Sequence, residues 1–196
     1  IPAGYTNSES GHAMLYEIHK RGDDYLFRVI NSGGGVGYHE QGVDRKASRN
    51  VKAMNPCMEW RLSLKQVSND ILWDKLIRAD RGSSGTIGYD ATFIYETLFS
   101  YFPKSQRIQK EDSEIDWTKA QRVGNCSWAS LMKWLRVSVG KEEYKFTEAY
   151  IKYESLLWGY SDLKNNGCKL SPKDYWLQLQ LLIIGTSKLE RFFDRH

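Results

Sequence analysis

Cysteine is scarce in this chain. Its 196 residues hold three, Cys57, Cys126 and Cys168, and no two of them form a CxxC pair. An odd count without close spacing excludes a disulfide framework and a cysteine zinc site. The thiols are therefore expected free, as a reducing or cytosolic compartment keeps them. Long apolar runs are missing as well. The longest, LQLLIIG from Leu179 to Gly185, falls short of the ~18 residues a membrane span needs. Neither sign of charge dominates: 28 basic against 24 acidic residues give +4, too even a balance for a nucleic-acid partner. The glycine run GGGVG at Gly33 to Gly37 lacks the patterns of nucleotide-binding loops. No cofactor and no metal are expected. A signal-peptide pattern is absent and the chain opens at Ile1, so it reads as a segment of a longer protein.

What remains is globular. Hydrophobic residues make up 41% and charged residues 27%, enough for one sizeable core. Seven Trp and twelve Tyr are many for the length and suit a binding cleft as well as a core. HAMLYEIH (12–19) and YLFRVIN (25–31) alternate around Gly22-Asp23-Asp24, a hairpin signal. MEWRLSLKQV (58–67) alternates again as a third strand. The cluster Ser68-Asn69-Asp70 caps a helical pattern at Ile71, Leu72, Leu76 and Ile77. Asp90 caps a helix over 91–102 that Pro103 ends. Residues 105–119 are a polar connector. Helices follow over 126–139, 146–160 and 172–193, separated at Gly140 and Asn165 to Gly167. Strands first and helices after predict an α+β fold: a small N-terminal antiparallel sheet packed against helices, with a helical C-terminal segment. The division expected is a catalytic core over 1–139 and a helical extension over 140–196 packed on it, within what could be one domain.

The stretch QRVGNCSWAS (121–130) sets a glutamine five residues before Cys126, at the start of a helix. A free Cys is most often a small buried hydrophobe, and Cys57 and Cys168 take that reading. A nucleophilic thiol needs an imidazole beside it and a third group to orient the ring. Of four histidines, His196 is terminal and His19 sits near the hairpin turn, which leaves His12 and His39. His12 extends the apolar face Met14, Tyr16, Ile18. Asn31 extends the face Tyr25, Phe27, Val29. If both faces meet one core, Met14 pairs with about Asn31, and His12 and Asn31 emerge on one side at one end. Each alone is an ordinary strand-end residue or turn former. Together, with Gln121 and Cys126, they suit a catalytic Cys-His-Asn site, with His39 as the second choice of base. Trp128, Tyr150, Tyr153, Trp158 and Tyr160 read as core.

NCSWAS (125–130), with Gln121 ahead of it, resembles the nucleophile segment of papain-like cysteine proteases. The chain order His12, Asn31, Gln121, Cys126 is permuted relative to papain. It is similar to the adenovirus-protease and SUMO-protease clan, which includes bacterial effector deubiquitinases and effector acetyltransferases. Ala13 stands where that clan often has Trp, Asn31 where it often has Asp, and Asn125-Cys126-Ser127 where Asp-Cys-Gly is usual. The resemblance implies a thiol protease or deubiquitinase-like isopeptidase. In it, His12 would activate Cys126, Asn31 would orient His12, and Gln121 would help hold the oxyanion. It further implies a protein substrate, ubiquitin-like or from a host cell, and secretion into that cell. On the same triad, an acyltransferase or a glutamine deamidase remains open. A non-catalytic binding module is the alternative of another class.

Overall fold

The structure, a computed structural model, describes residues 1–6, 11–44, 51–79, 90–111, 113–120 and 126–194. The chain is α+β and divides into two compact units, Ile1–Ser138 and Val139–His196. The expected hairpin is present as strands Gly11–Arg21 (β2) and Asp24–Ile30 (β3). Its turn is tight because Gly22 adopts φ +61°, a left-handed conformation that costs glycine little. Leu15 lies opposite Ile30 and Tyr16 opposite Val29. One step further, this register sets Met14 beside Asn31, the pairing the apolar stripes predict.

Two strands complete the sheet. Pro2–Thr6 (β1) pairs with β2, and the later strand Cys57–Leu62 pairs with β3; all pairings are antiparallel. Before that last strand, Gln41–Asp44 (β4) and Val51–Met54 (β5) form a separate two-stranded ladder, so Cys57–Leu62 is β6 and the sheet order is β1-β2-β3-β6. β1, β4 and β5 are absent from the sequence reading, because each is only four or five residues long and too short to show a period. The strand expected to run on to Val67 stops at Leu62. There Gln66 accepts the Ser63 N–H in a capping box and opens a short helix, Leu64–Val67 (α1).

One face of the sheet is the core. Met14 and Tyr16 of β2, Phe27 and Val29 of β3, and Met58, Trp60 and Leu62 of β6 are all buried. Phe99 and Phe102 close over them, with Phe27 and Trp60 stacked at 5.8 Å between ring centroids. Helix Asp70–Arg78 (α2) adds Leu72 and Leu76, its N-terminus held by the Asn69 side chain. Ile71 and Ile77, expected on the same stripe, face solvent. Asp90 accepts the Phe93 N–H as its spacing implies, but the segment is a π-helix over Phe93–Leu98 followed by a 3-10 turn, Phe99–Tyr101. The wider turn lets Ile94, Tyr95, Leu98 and Phe99 all reach the interior. The other face of the sheet carries a charged row across three strands, Glu17, Arg28 and Glu59. Arg28 donates to both carboxylates, and Lys110 also reaches Glu59.

The next helix, Cys126–Val139 (α3), has the bounds the sequence predicts. Trp128, read as core, is instead half exposed, because the stripe that meets the sheet is Cys126, Ser130 and Trp134. In the second unit, Lys141–Asn166 (α4) and Pro172–Phe193 (α5) pack on each other. Ser171 caps α5 through the Asp174 N–H. Gly185 permits the close approach, since a Cβ there would stand 2.6 Å from Leu156. Ala149, Leu163 and Leu189 are buried in this unit. The aromatics expected to be its core are not: Tyr150, Tyr153, Trp158 and Tyr160 are exposed, Trp158 by 76%. A two-helix layer buries only one narrow seam: Tyr153 and Tyr160 line an open groove along it with Leu182 and Phe193, and Tyr150 and Trp158 are exposed. No helix among the described residues is long and apolar enough to cross a membrane.

Candidate active site

The site lies where β2 and β3 part. β3 ends at Ile30, so beyond that point β2 lacks a neighbour on one side. Ile1 and Tyr16 exchange backbone hydrogen bonds, so even-numbered residues of β2 aim their amides at β1 and odd-numbered ones at β3. Ala13 is odd. In the β3 register its partner would be residue 32, which has left the ladder. Helix α3 fills the gap. The Ala13 N–H donates to Cys126 Sγ at 3.2 Å, and Ser130 Oγ donates to the Ala13 carbonyl at 3.0 Å. Cys126 and Ser130 are four residues apart and share a helix face. Four residues further on, Trp134 Nε1 donates to Glu17 at 2.8 Å. Eight helical residues rise ~12 Å and four strand residues ~13 Å, so stripe and strand keep step. Ser32, past the end of β3, meets Ser130 at 3.3 Å between hydroxyls.

His12 stands next to Ala13, on the core side of β2. Its Nε2 lies 2.6 Å from Asn31 Oδ1. The orientation of the Asn31 amide follows from its other partners. Gly33 N–H can only donate, and it reaches Oδ1 at 2.9 Å. The Gly34 carbonyl can only accept, and it takes Nδ2 at 2.6 Å. Oδ1 therefore faces His12, and Nε2 carries the proton. In the neutral ring, Nδ1 is then the basic nitrogen. Asn31 is fully buried. Burial lowers the His12 pKa, and the Asn31 bond offsets part of that.

Tyr5 of β1 is paired with His12 and walls the site, its ring centroid 5.6 Å from the imidazole. Burial raises the pKa of its hydroxyl, and Asp90 and Cys126 add to that. Gly34 closes another side. A Cβ there would stand 2.3 Å from the Tyr5 oxygen and 3.2 Å from His12 Cγ. Cys126 occupies the first turn of α3, where backbone N–H groups lack helical partners and the dipole favours negative charge.

Three of the four expected residues are thus brought to one place: His12, Asn31 and Cys126. Gln121 lies outside the described residues, as does Asn125. Among the described residues no hydrogen bond joins Sγ to the His12 ring; the sulfur is engaged by the neighbouring amide instead. His39, the second choice of base, is not at the thiol. It is 3% exposed, with Nδ1 on the Asn55 carbonyl and Nε2 on the Tyr95 hydroxyl. Burial and the Arg107 charge, against the bond to Asn55, hold its pKa at about 3. Cys57 is buried, with its thiol pushed up by burial to about 12. Tyr5, Tyr95 and Ser130 escape a sequence reading. Each sits in a pattern that core packing explains, and only the fold brings them together. No cluster of His, Cys, Asp or Glu able to hold a metal is found among the described residues. Compared with protein-family models, curated proteins and solved structures, the chain has no match.

Proposed function

We propose that the chain is a cysteine hydrolase of protein substrates, with Cys126 as nucleophile, His12 as general base and Asn31 as orienting residue. The observation that supports it is the Asn31 amide. Its neighbours force Oδ1 toward Nε2 of His12, and the next residue's N–H, that of Ala13, meets a thiol in the first turn of α3. A core asparagine satisfied by backbone alone would have no such use for a histidine.

In this reading His12 Nδ1 takes the Sγ proton, and the sulfur attacks a substrate carbonyl carbon. The C–S bond forms and the carbonyl π pair moves onto oxygen. The backbone N–H of Cys126 and the side chain of Gln121 hold that oxyanion. Collapse breaks the C–N bond, and His12 returns the proton to the departing amine. Water then adds to the thioester, giving its proton to His12; the acid leaves, and the thiol is restored. Gly34 lets Tyr5 and His12 pack closely against the backbone, and Gly35 does the same for Tyr95. The resemblance of QRVGNCSWAS makes a ubiquitin-like or host protein the substrate class, and a secreted effector the setting.

The test is alkylation. Iodoacetamide at near-neutral pH should label Cys126 much faster than Cys57, and His12→Ala should suppress that labelling. A panel of ubiquitin-like and generic electrophilic probes, with Cys126→Ala as control, then reads the substrate class. Equal labelling of Cys126 in wild type and His12→Ala would remove the enzyme reading and leave a binding module.

A further inference from the structure

The site has a second layer. Asn31 Nδ2 also donates to the Tyr95 hydroxyl at 2.8 Å, and that hydroxyl lies 2.8 Å from His39 Nε2. His39 Nδ1 lies 2.9 Å from the Asn55 carbonyl. We infer that Tyr95 and His39 are positioning residues for the reaction, which hold Asn31, and through it His12, in a single proton arrangement. This rests on the hydrolase reading above.

The direction of every link follows from the far end. A carbonyl oxygen only accepts, so His39 Nδ1 carries the ring proton and Nε2 is a bare acceptor. Tyr95 therefore donates to His39, and its oxygen is left to accept from Asn31. The Asn31 amide is then aligned from three sides: Gly33, Gly34 and Tyr95. His12 Nε2–H is the last donor in the chain, and Nδ1 is its only basic atom. Reversing any link would set two donors or two acceptors face to face in a dry interior, where an unmade bond is costly.

The members are buried, with Asn31, His39, Asn55 and Tyr95 all under one-tenth exposed. His12, only partly buried, is the least enclosed end of the chain of bonds. Met14 Sδ also lies 3.5 Å from the Tyr95 hydroxyl, but sulfur is the weaker acceptor. The charged group felt by His39 is Arg107, itself paired with Glu40. His12 is faced by Tyr5, Asn31 and, across Ala13, Cys126. Burial holds the His39 pKa well below its ordinary value, at about 3, so the ring is neutral at physiological pH.

The experiment is the rate of Cys126 alkylation by iodoacetamide across the acid-to-alkaline range, in the whole chain. Wild type, Tyr95→Phe, His39→Ala, His39→Gln and His12→Ala are compared, with the melting temperature of each. Tyr95→Phe removes one oxygen and keeps the ring. It should slow alkylation at neutral pH by about 10-fold, the scale of one net hydrogen bond. It should also move the acid limb of the profile to higher pH, a change that loosened packing does not produce. His39→Ala should match it. His39→Gln can donate to Asn55 and accept from Tyr95, and should restore most of the rate. If His39→Ala does not fold, Tyr95→Phe decides alone. A Tyr95→Phe profile that superimposes on wild type, while His12→Ala suppresses labelling, overturns the positioning role and leaves the hydrolase reading intact. A wild-type profile indifferent to His12→Ala overturns both.

Discussion

Gly34→Ala adds a single methyl group against the site. Gly34 does not occupy the left-handed region, so the backbone tolerates alanine and the cost comes from the neighbours. The new Cβ would stand 2.3 Å from the Tyr5 oxygen and 3.2 Å from His12 Cγ. Ordinary contact requires about 3.5 Å, so the Tyr5 hydroxyl must retreat by about 1 Å. Tyr5 is buried and leans on His12, so its retreat moves the imidazole and stretches the bond to Asn31. Overpacking of this kind costs about 1–3 kcal/mol. At this chain length that lowers the melting temperature by roughly 2–12 °C. A displacement of about 1 Å at a catalytic group costs ~10² in rate. The assay is Cys126 labelling and turnover by a reactive probe, beside thermal unfolding. Gly37→Ala is the control, because a Cβ there meets nothing within 4 Å. If Gly34→Ala labels and melts like Gly37→Ala, the wall formed by Tyr5 and His12 is not where the structure places it.

Other outcomes follow from the same geometry. Gln121→Ala should slow turnover ~10²–10³-fold, the usual loss for one oxyanion donor, while Cys126 labelling stays near wild type; unchanged turnover would make Gln121 a loop residue. Stability should depend on acid through His39. Its folded pKa, about 3, lies below the unfolded value of 6.5, so the unfolded chain binds the extra proton and stability is lost as pH falls from 6.5 toward 3. The slope from this group is ~1.4 kcal/mol per pH unit, and urea titrations of His39→Gln should show it flattened; an equal slope in the variant would refute the assignment.

The sheet was legible because the β2–β3 hairpin alternates cleanly and its register follows from matching two apolar stripes. That same match placed His12 and Asn31 on one face. The helix at Cys126 was legible from its apolar spacing. The short strands β1, β4 and β5 were not, since four or five residues carry too little period to stand out. Tyr95 shows the limit most clearly. In FIYETL it is one aromatic among several, and only a π-helical turn, which no residue pattern announces, brings its hydroxyl between His39 and Asn31. Trp158 and Tyr160 misled in the other direction. Aromatic residues at helical spacing imply a core, but a pair of helices buries a single seam.

Because α3 takes the place of a missing strand at Ala13, one amide proton reports on the whole site. The Ala13 N–H has Cys126 Sγ as its partner and no strand partner on that side. If α3 lifts from β2, that proton becomes exchangeable, the sulfur leaves the Ala13 amide, and Ser130 releases the carbonyl of the same residue. Solvent exchange at residue 13 is therefore a clock for how often α3 leaves the open edge of β2. Oxidation or alkylation of Cys126 should reset that clock without any change in the sheet around it.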